Sequence, residues 1–410
     1  MAATVAAKVR NMIRRPRLGV LFVTSGWFHQ VGLQAAGSSL NTAIETTAAT
    51  VIARLSRNLD LTYSGVVSSE AQARKSAELL RATDLDGILV SPLMWCEDQI
   101  LRAALDVLPP LPVVVWVFLP SPRLGTFLEF ERMLRFSGPV GALQASGMLK
   151  RELREYRTVV GHSADESVYA NIETHARALM ARRRLRGARI GVLPFRCDQM
   201  SSTWIDEFGL RTRYGVELRY LEVTTLRTIA EEVSTAEVRA FVDEMQAARQ
   251  SIEVDERNLV AGVRAAVALE RLCERETLAA LAINDVADEL HRGLGMRPCL
   301  WNPRLSEADI VVSMEGEVAA GTAMLALRIA TGEPPFYSEP LGSDLAANCL
   351  LLGHAGYHDA LVGDESFPVR VIADEEYRRA DPYTGAVTYF CCRPGPVTIV
   401  NSSWTGERLQ

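Results

Sequence analysis

Short apolar runs rich in β-branched residues recur along this chain, each followed by a stretch whose apolar positions carry helical spacing. LGVLFV at 18–23, GILV at 87–90, VVVWVF at 113–118, ARIGVLP at 188–194 and IVV at 310–312 are apolar at nearly every position, not at alternate ones. A strand that is apolar on both sides is covered on both faces. Strands separated by helices pair in parallel, because a parallel connection needs a crossover. The pattern predicts two doubly wound parallel-sheet (Rossmann-like) α/β domains, while the β-branched runs and turns of the last seventy or so residues predict a small antiparallel β-rich C-terminal domain.

The first unit reads as strands at 18–23, 61–67, 86–90 and 112–118 alternating with helices at 43–58, 70–82 and 96–108. A linker with a turn signal at Ser137-Gly138-Pro139 follows, over 137–162. The second unit reads as a helix at 166–186, strands at 188–194, 217–222 and 278–284, helices at 202–214 and 285–294, and a long polar helical stretch at 229–273. Strands are expected at 369–373, 386–391 and 396–401. The resulting layout is an N-terminal arm over 1–15, a first α/β domain over 16–160, a second over 161–340 and the β-rich domain over 341–410.

Composition narrows the function. A net charge of −6 and a pI near 5.7 argue against general nucleic-acid binding, which needs a basic face. The arginines at 182–184 and 186, and Arg14 and Arg15, read as solvated helix faces. Seven cysteines, an odd number with no CxxC spacing, fit a reducing cytoplasm with free thiols. Cys391 and Cys392 are neighbours in a strand-like run and so point to opposite faces. No apolar run approaches the eighteen or so residues that span a bilayer. MAATVAAKVRNMIRR lacks the compact apolar region of a secretory signal, so Asn401-Ser402-Ser403, a glycosylation acceptor by pattern, is expected to stay unmodified. No Gly-rich dinucleotide fingerprint follows the first strand, which disfavours NAD or FAD.

The chemistry concentrates between 309 and 358. After the strand at 310–312 come Glu315 and Glu317, then a helical pattern up to Gly332, then Glu339 in a loop, and His354 and His358, in a chain with six histidines. A carboxylate at a strand end before a helix faces the crevice where open α/β sheets bind ligands. Oxygen ligands with one imidazole suit Mn²⁺ or Mg²⁺ better than zinc. The alternative is that Glu315 and Glu317 are ordinary acids favoured by a helix N-terminus. Asn284 and Asp285 end a strand of the same domain and are candidates to bind substrate hydroxyls. His29 lies in a loop after the first strand and is a further candidate. His162 and His175 read as structural.

The order Glu315, Glu317, Gly321 before an apolar helix, then Gly332-x-Pro334, the loop acid Glu339 and His354-Ala-Gly356, resembles the C-terminal part of the L-fucose/L-arabinose isomerase family. Similarity extends to GVLFVTSGWF, LDGILVSPLMWCEDQIL and the run from Val159 to Met200. The resemblance implies two α/β domains and a β-rich one, and a trimer or hexamer with sites between subunits. It also implies a metal-dependent aldose–ketose isomerase acting on a sugar or sugar-like polyol through an enediolate. It makes Glu315 and Glu339 metal ligands and acid/base residues, and His354 a third ligand. Glu317 would orient a ligand or water, and Trp95 matches the family's aromatic that stacks on substrate from a neighbouring subunit; the alternative for Trp95 is a core or interface tryptophan.

The chain departs from the family in one respect: no histidine follows His358, where family enzymes bring a late metal-binding one. His358 is then a candidate substitute or substrate contact. The departure keeps two other functions open. One is the same fold redirected to another enolate-type reaction, an epimerisation or lyase step in specialised metabolism. The other is a non-catalytic sugar-binding or partner subunit with a decayed metal site.

Overall fold

The computed structural model describes residues 15–27, 39–125, 130–375 and 384–403. Most of the expected N-terminal arm, and His29, lie outside them. The described chain divides into two compact units, one up to Arg183 and one from Arg184 onward.

The first unit runs β1 (Arg17–Val23), α1 (Ser39–Leu55), β2 (Asp60–Thr62), α2 (Glu70–Arg81), β3 (Gly87–Pro92), α3 (Asp98–Leu105), β4 (Val113–Leu119), α4 (Phe130–Arg135), α5 (Gly138–Arg151), β5 (Tyr156–His162) and α6 (Glu166–Leu185). The sheet order is β2-β1-β3-β4-β5, parallel throughout. Period-two alternation sorts its side chains into two cores. Leu21, Val23, Ile88, Val90, Val113 and Val115 pack on one face, and Leu18, Val20, Phe22, Leu89, Val114 and Trp116 on the other. The stretch 137–162 is not a linker. Pro139 sits in the first turn of α5, where its missing N–H costs nothing, and the chain continues into β5, which closes one edge of the sheet.

The second unit runs β6 (Arg189–Leu193), α7 (Glu207–Tyr214), β7 (Glu217–Tyr220), α8 (Val223–Glu232), α9 (Thr235–Ala247), β8 (Ser251–Glu253), α10 (Glu256–Glu276), β9 (Ala280–Ile283), α11 (Asp288–Leu294), α12 (Pro303–Glu307), β10 (Val311–Ser313), α13 (Val318–Thr331), β11 (Glu339–Asp344), β12 (Cys349–Gly353), β13 (Arg370–Ala373) and β14 (Ala386–Tyr389). Its main sheet is parallel in the order β10-β9-β6-β7. Again two faces are filled, by Leu193, Leu281, Ile283 and Val312 on one side and by Ile190, Val192, Ala282 and Val311 on the other. Both parallel regions expected from the sequence are therefore present.

Near the C-terminus, β13 pairs antiparallel with β14 and parallel with β8, and β11 pairs antiparallel with β12. The polar stretch 229–273 is not one helical run. Ser234 caps α9 in a reciprocal pair with Glu237, and the left-handed Arg249 (φ 59°) precedes the turn into β8. The strand expected at 396–401 does not form; residues 391–400 are exposed, so there is nothing for alternating apolar side chains to bury against. All seven cysteines are free, and no helix among the described residues is long and apolar enough to cross a membrane.

Candidate metal centre

The second sheet reverses its winding between β6 and β9, and the loops leaving those strands and β10 meet there, as ligand-binding crevices of open α/β sheets do. A Cβ on Gly316 would lie 3.1 Å from the Phe195 carbonyl oxygen after β6, 3.2 Å from Asn284 Cβ after β9 and 3.3 Å from the Cys197 nitrogen. Gly316 also has φ +64°, so this position requires glycine twice over.

Glu315 itself holds the left-handed conformation (φ 58°), which costs a non-glycine residue about 1–2 kcal/mol. Two hydrogen bonds hold the turn. The Glu315 N–H donates to Asp285 Oδ1 (3.0 Å), and the Gly316 N–H donates to the Ile283 carbonyl (2.8 Å). A strained residue so braced directs its side chain into the crevice, and the observed strain is itself a pointer to function.

Glu339 and His354, fifteen residues apart, meet for a reason that a loop does not supply. Glu339 opens β11 and is paired with Gly353, the last residue of β12, so His354 follows directly on the partner of Glu339. Beyond it, Gly356 (φ +128°) leaves room for the buried Met314 side chain, whose Cε lies 2.7 Å from where a Cβ would stand. Donor atoms of Glu315, Glu339 and His354 all lie within 4.8 Å of one another. Adjacent ligands on a cation bonded at about 2.1 Å are roughly 3 Å apart, and Glu339, the most exposed of the three, is the least constrained by packing.

The electrostatics fit a cation. His354 Nε2 is 3.6 Å from Glu315 Oε1, too long for a hydrogen bond, as two donors facing a common ion would be. His354 Nδ1 is buried and has no hydrogen-bond partner among the described residues. The imidazole lowers the Glu315 pKa. Burial opposes charge on His354, but the Glu315, Asp285 and Glu339 carboxylates outweigh it and raise its pKa. Three donors of this type would leave coordination positions open on a bound cation.

Tyr337, which sequence reasoning missed, ties Glu317 to the centre. Its hydroxyl lies 2.7 Å from Glu317 Oε2 and 3.1 Å from Glu315 Oε2. One hydroxyl proton serves two carboxylates, so the group richer in protons is Glu317, whose pKa is raised by burial. The only sequence signal for Tyr337 is its place two residues before Glu339, after Pro334-Pro335.

His358 is buried. Its Nε2 is 2.9 Å from the His354 carbonyl oxygen and its ring packs on Phe336 at 4.5 Å, so it supports the His354 backbone. Burial depresses its pKa to about 3. Asn284 is 2 % exposed; its Nδ2 donates to the Arg196 carbonyl (3.2 Å), while its Oδ1 has no partner among the described residues. Trp95 belongs to the first unit, half-buried after β3, with its backbone N–H donating to Ser137 Oγ (2.8 Å). His162 and His175 belong to that unit too, and both are half-buried.

No protein-family model matches the chain, and no curated protein matches it significantly.

Proposed function

We propose that the protein is a divalent-cation enzyme of the aldose–ketose isomerase type acting on a sugar or sugar-like polyol. The reading rests on one observation above others, the convergence of Glu315, Glu339 and His354 at the carboxyl end of a parallel sheet. Mn²⁺ or Mg²⁺ held by these three residues supplies Lewis-acid stabilisation of negative charge on adjacent substrate oxygens.

The chain's own residues divide the remaining work. Glu315 accepts from the Tyr337 hydroxyl through Oε2, which leaves Oε1 facing His354, and serves to hold position. Glu339, which is exposed, takes the proton from the carbon beside the carbonyl and returns it to the neighbouring carbon. A second proton passes from one substrate oxygen to the other, so the enzyme ends as it began. The orphaned Oδ1 of Asn284 is an acceptor for a substrate hydroxyl. Glu317, whose pKa burial raises, accepts from the Tyr337 hydroxyl and so holds the tyrosine against Glu315.

The test pairs Mn²⁺ binding with a screen of free aldoses and ketoses. Glu315→Gln is expected to abolish binding and turnover with an intact melting curve. Glu339→Gln is expected to lower turnover at least 100-fold while weakening binding less. Binding by neither the parent protein nor the variants sinks the metal reading, and binding without turnover of any sugar leaves a sugar-binding role in its place.

A further inference from the structure

Behind Glu315 lies a chain of buried charge that the ligand set leaves unexplained. Arg297 donates through Nε and Nη2 to the two carboxylate oxygens of Asp374 (2.8 Å each) and through Nη1 to Asp285 Oδ2 (3.0 Å). All three side chains are 2–3 % exposed. Asp285 uses its other oxygen to accept the Glu315 N–H. Residues from the end of β13, the loop after α11 and the loop after β9 are thus linked in series to the one strained residue of the metal centre.

The guanidinium and its two carboxyl partners sit where water is excluded. Desolvating such ions costs several kcal/mol each, so a buried network of this kind is a poor device for stability alone. It is a good device for geometry. The guanidinium is planar and its forked bonds to Asp374 fix its orientation, which in turn fixes both oxygens of Asp285.

We propose that Asp374 and Arg297 are positioning residues for Glu315, acting through Asp285; the inference rests on the metal reading above. Without a fixed Asp285 Oδ1, the left-handed backbone at Glu315 loses the acceptor of its N–H, and the carboxylate swings away from His354 and Glu339. A displacement near 1 Å is enough to spoil a ligand set.

Two readouts decide it, the Mn²⁺ dissociation constant and the hydrogen-exchange rate of the Glu315 amide measured without metal. Asp374→Asn keeps the size of the side chain and removes the charge that anchors the fork. It is expected to raise the dissociation constant about tenfold and to speed exchange at Glu315. Asp309→Asn is the control, because it breaks the Arg328–Asp309 pair (2.8 Å) of the same unit, which has no bond to Glu315. It is expected to lower Tm and to change neither readout.

If Asp374→Asn only lowers Tm, as the control does, the proposal is overturned. If the parent protein binds no Mn²⁺, the metal reading fails, and the exchange rate alone decides: faster exchange upholds positioning and an unchanged rate overturns it. Should Asp374→Asn fail to fold, Arg297→Lys carries the same test, since it keeps the charge but cannot fork across two carboxylates.

Discussion

In the first unit the strand order β2-β1-β3-β4 and in the second β7-β6-β9-β10 are the same winding, each with its reversal beside the strand that opens the sheet. The residues that leave equivalent strands are not alike. After β3 come the buried Leu93 and Met94, whereas after β9 come Asn284 and Asp285; after β4 come Pro120 and Ser121, whereas after β10 come the buried Met314 and then Glu315. In the first sheet β5 covers β4, while among the described residues β10 stays an edge strand, followed by α13 and the β11–β12 hairpin that delivers Glu339 and His354. One winding thus carries two different sets of residues at its strand ends. The backbone decides where a crevice opens, and the few residues after each strand decide what it can hold.

Acid should separate the two units most strongly. His358 of the second unit is buried with its pKa depressed to about 3, against about 6.5 in an unfolded chain. Between those values the unfolded state binds more protons, so stability is lost as pH falls from about 6.5 toward 3. The slope is about 1.4 kcal/mol per pH unit, or roughly 4–5 kcal/mol over the window. His354, whose pKa is raised, acts in the opposite sense, so the quantity to measure is the difference between the parent protein and His358→Gln. Hydrogen exchange followed unit by unit at pH 7 and pH 4.5 checks it. Equal acid loss in parent and variant would show that His358 is not the cause.

The next effect concerns ligands. At the end of the first sheet Glu97 is the nearest counterpart of an acidic ligand, and its Oε1 accepts from Ser25 Oγ (3.1 Å). Glu315→Gln is expected to weaken Mn²⁺ binding by at least about 100-fold, beyond the 10–100-fold typical of residues that only support a ligand. Glu97→Gln is expected to leave it unchanged. A titration of both variants, with Mn²⁺ followed by its electron paramagnetic resonance, checks the contrast; an equal loss in Glu97→Gln would mean that the loss is not specific to the Glu315 centre.

The division between what the sequence displays and what it conceals follows the same contrast. Parallel sheets are legible because their strands are apolar on both faces, and Glu315 is legible because a strand end before a helix is a local pattern. The hairpin is not. Residues 339–352 are exposed, so no alternation of burial marks them, and Gly342, Ser343, Asp344 and Asn348 read as loop. The Arg297–Asp374 fork joins residues 77 apart, and nothing in either local context announces it. At 137–139 the same residue types that mark a turn also start a helix, and only the tertiary core under α5 decides between them.

Glycine substitutions give a smaller, sharper comparison. Gly316→Ala adds a Cβ that meets three atoms at 3.1–3.3 Å and forces alanine to φ +64°. The expected cost is about 2–3 kcal/mol. Gly65 of the first unit has φ +108° and open space around it, so Gly65→Ala carries backbone strain alone, about 1–2 kcal/mol. At roughly 2–4 °C per kcal/mol, calorimetry resolves the difference. Gly316→Ala should also weaken Mn²⁺ binding. If it lowers Tm and leaves binding intact, the crowded turn supports the fold but not the centre.

The smallest expected effect lies in two tyrosine hydroxyls that are both sheltered from water and yet differ in partners. Tyr337 bridges Glu317 and Glu315, whereas the hydroxyl of Tyr63, packed edge-on against Phe22 at 5.4 Å, is buried with no hydrogen-bond partner among the described residues. Removing a hydroxyl that leaves a partner behind costs about 1 kcal/mol; removing one that has none relieves a desolvation cost. Tyr337→Phe is therefore expected to destabilise the second unit by about 1 kcal/mol, and Tyr63→Phe to be neutral or stabilising by up to about 1 kcal/mol in the first. Tyr337→Phe also removes the bond that lowers the Glu317 pKa, so this carboxyl, already raised by burial, should titrate higher still and move the pH profile of turnover upward. Urea unfolding of both variants and a pH profile of Tyr337→Phe check the pair. Equal and opposite shifts in stability without any change in the profile would place Tyr337 in the packing of the centre and outside its proton transfers.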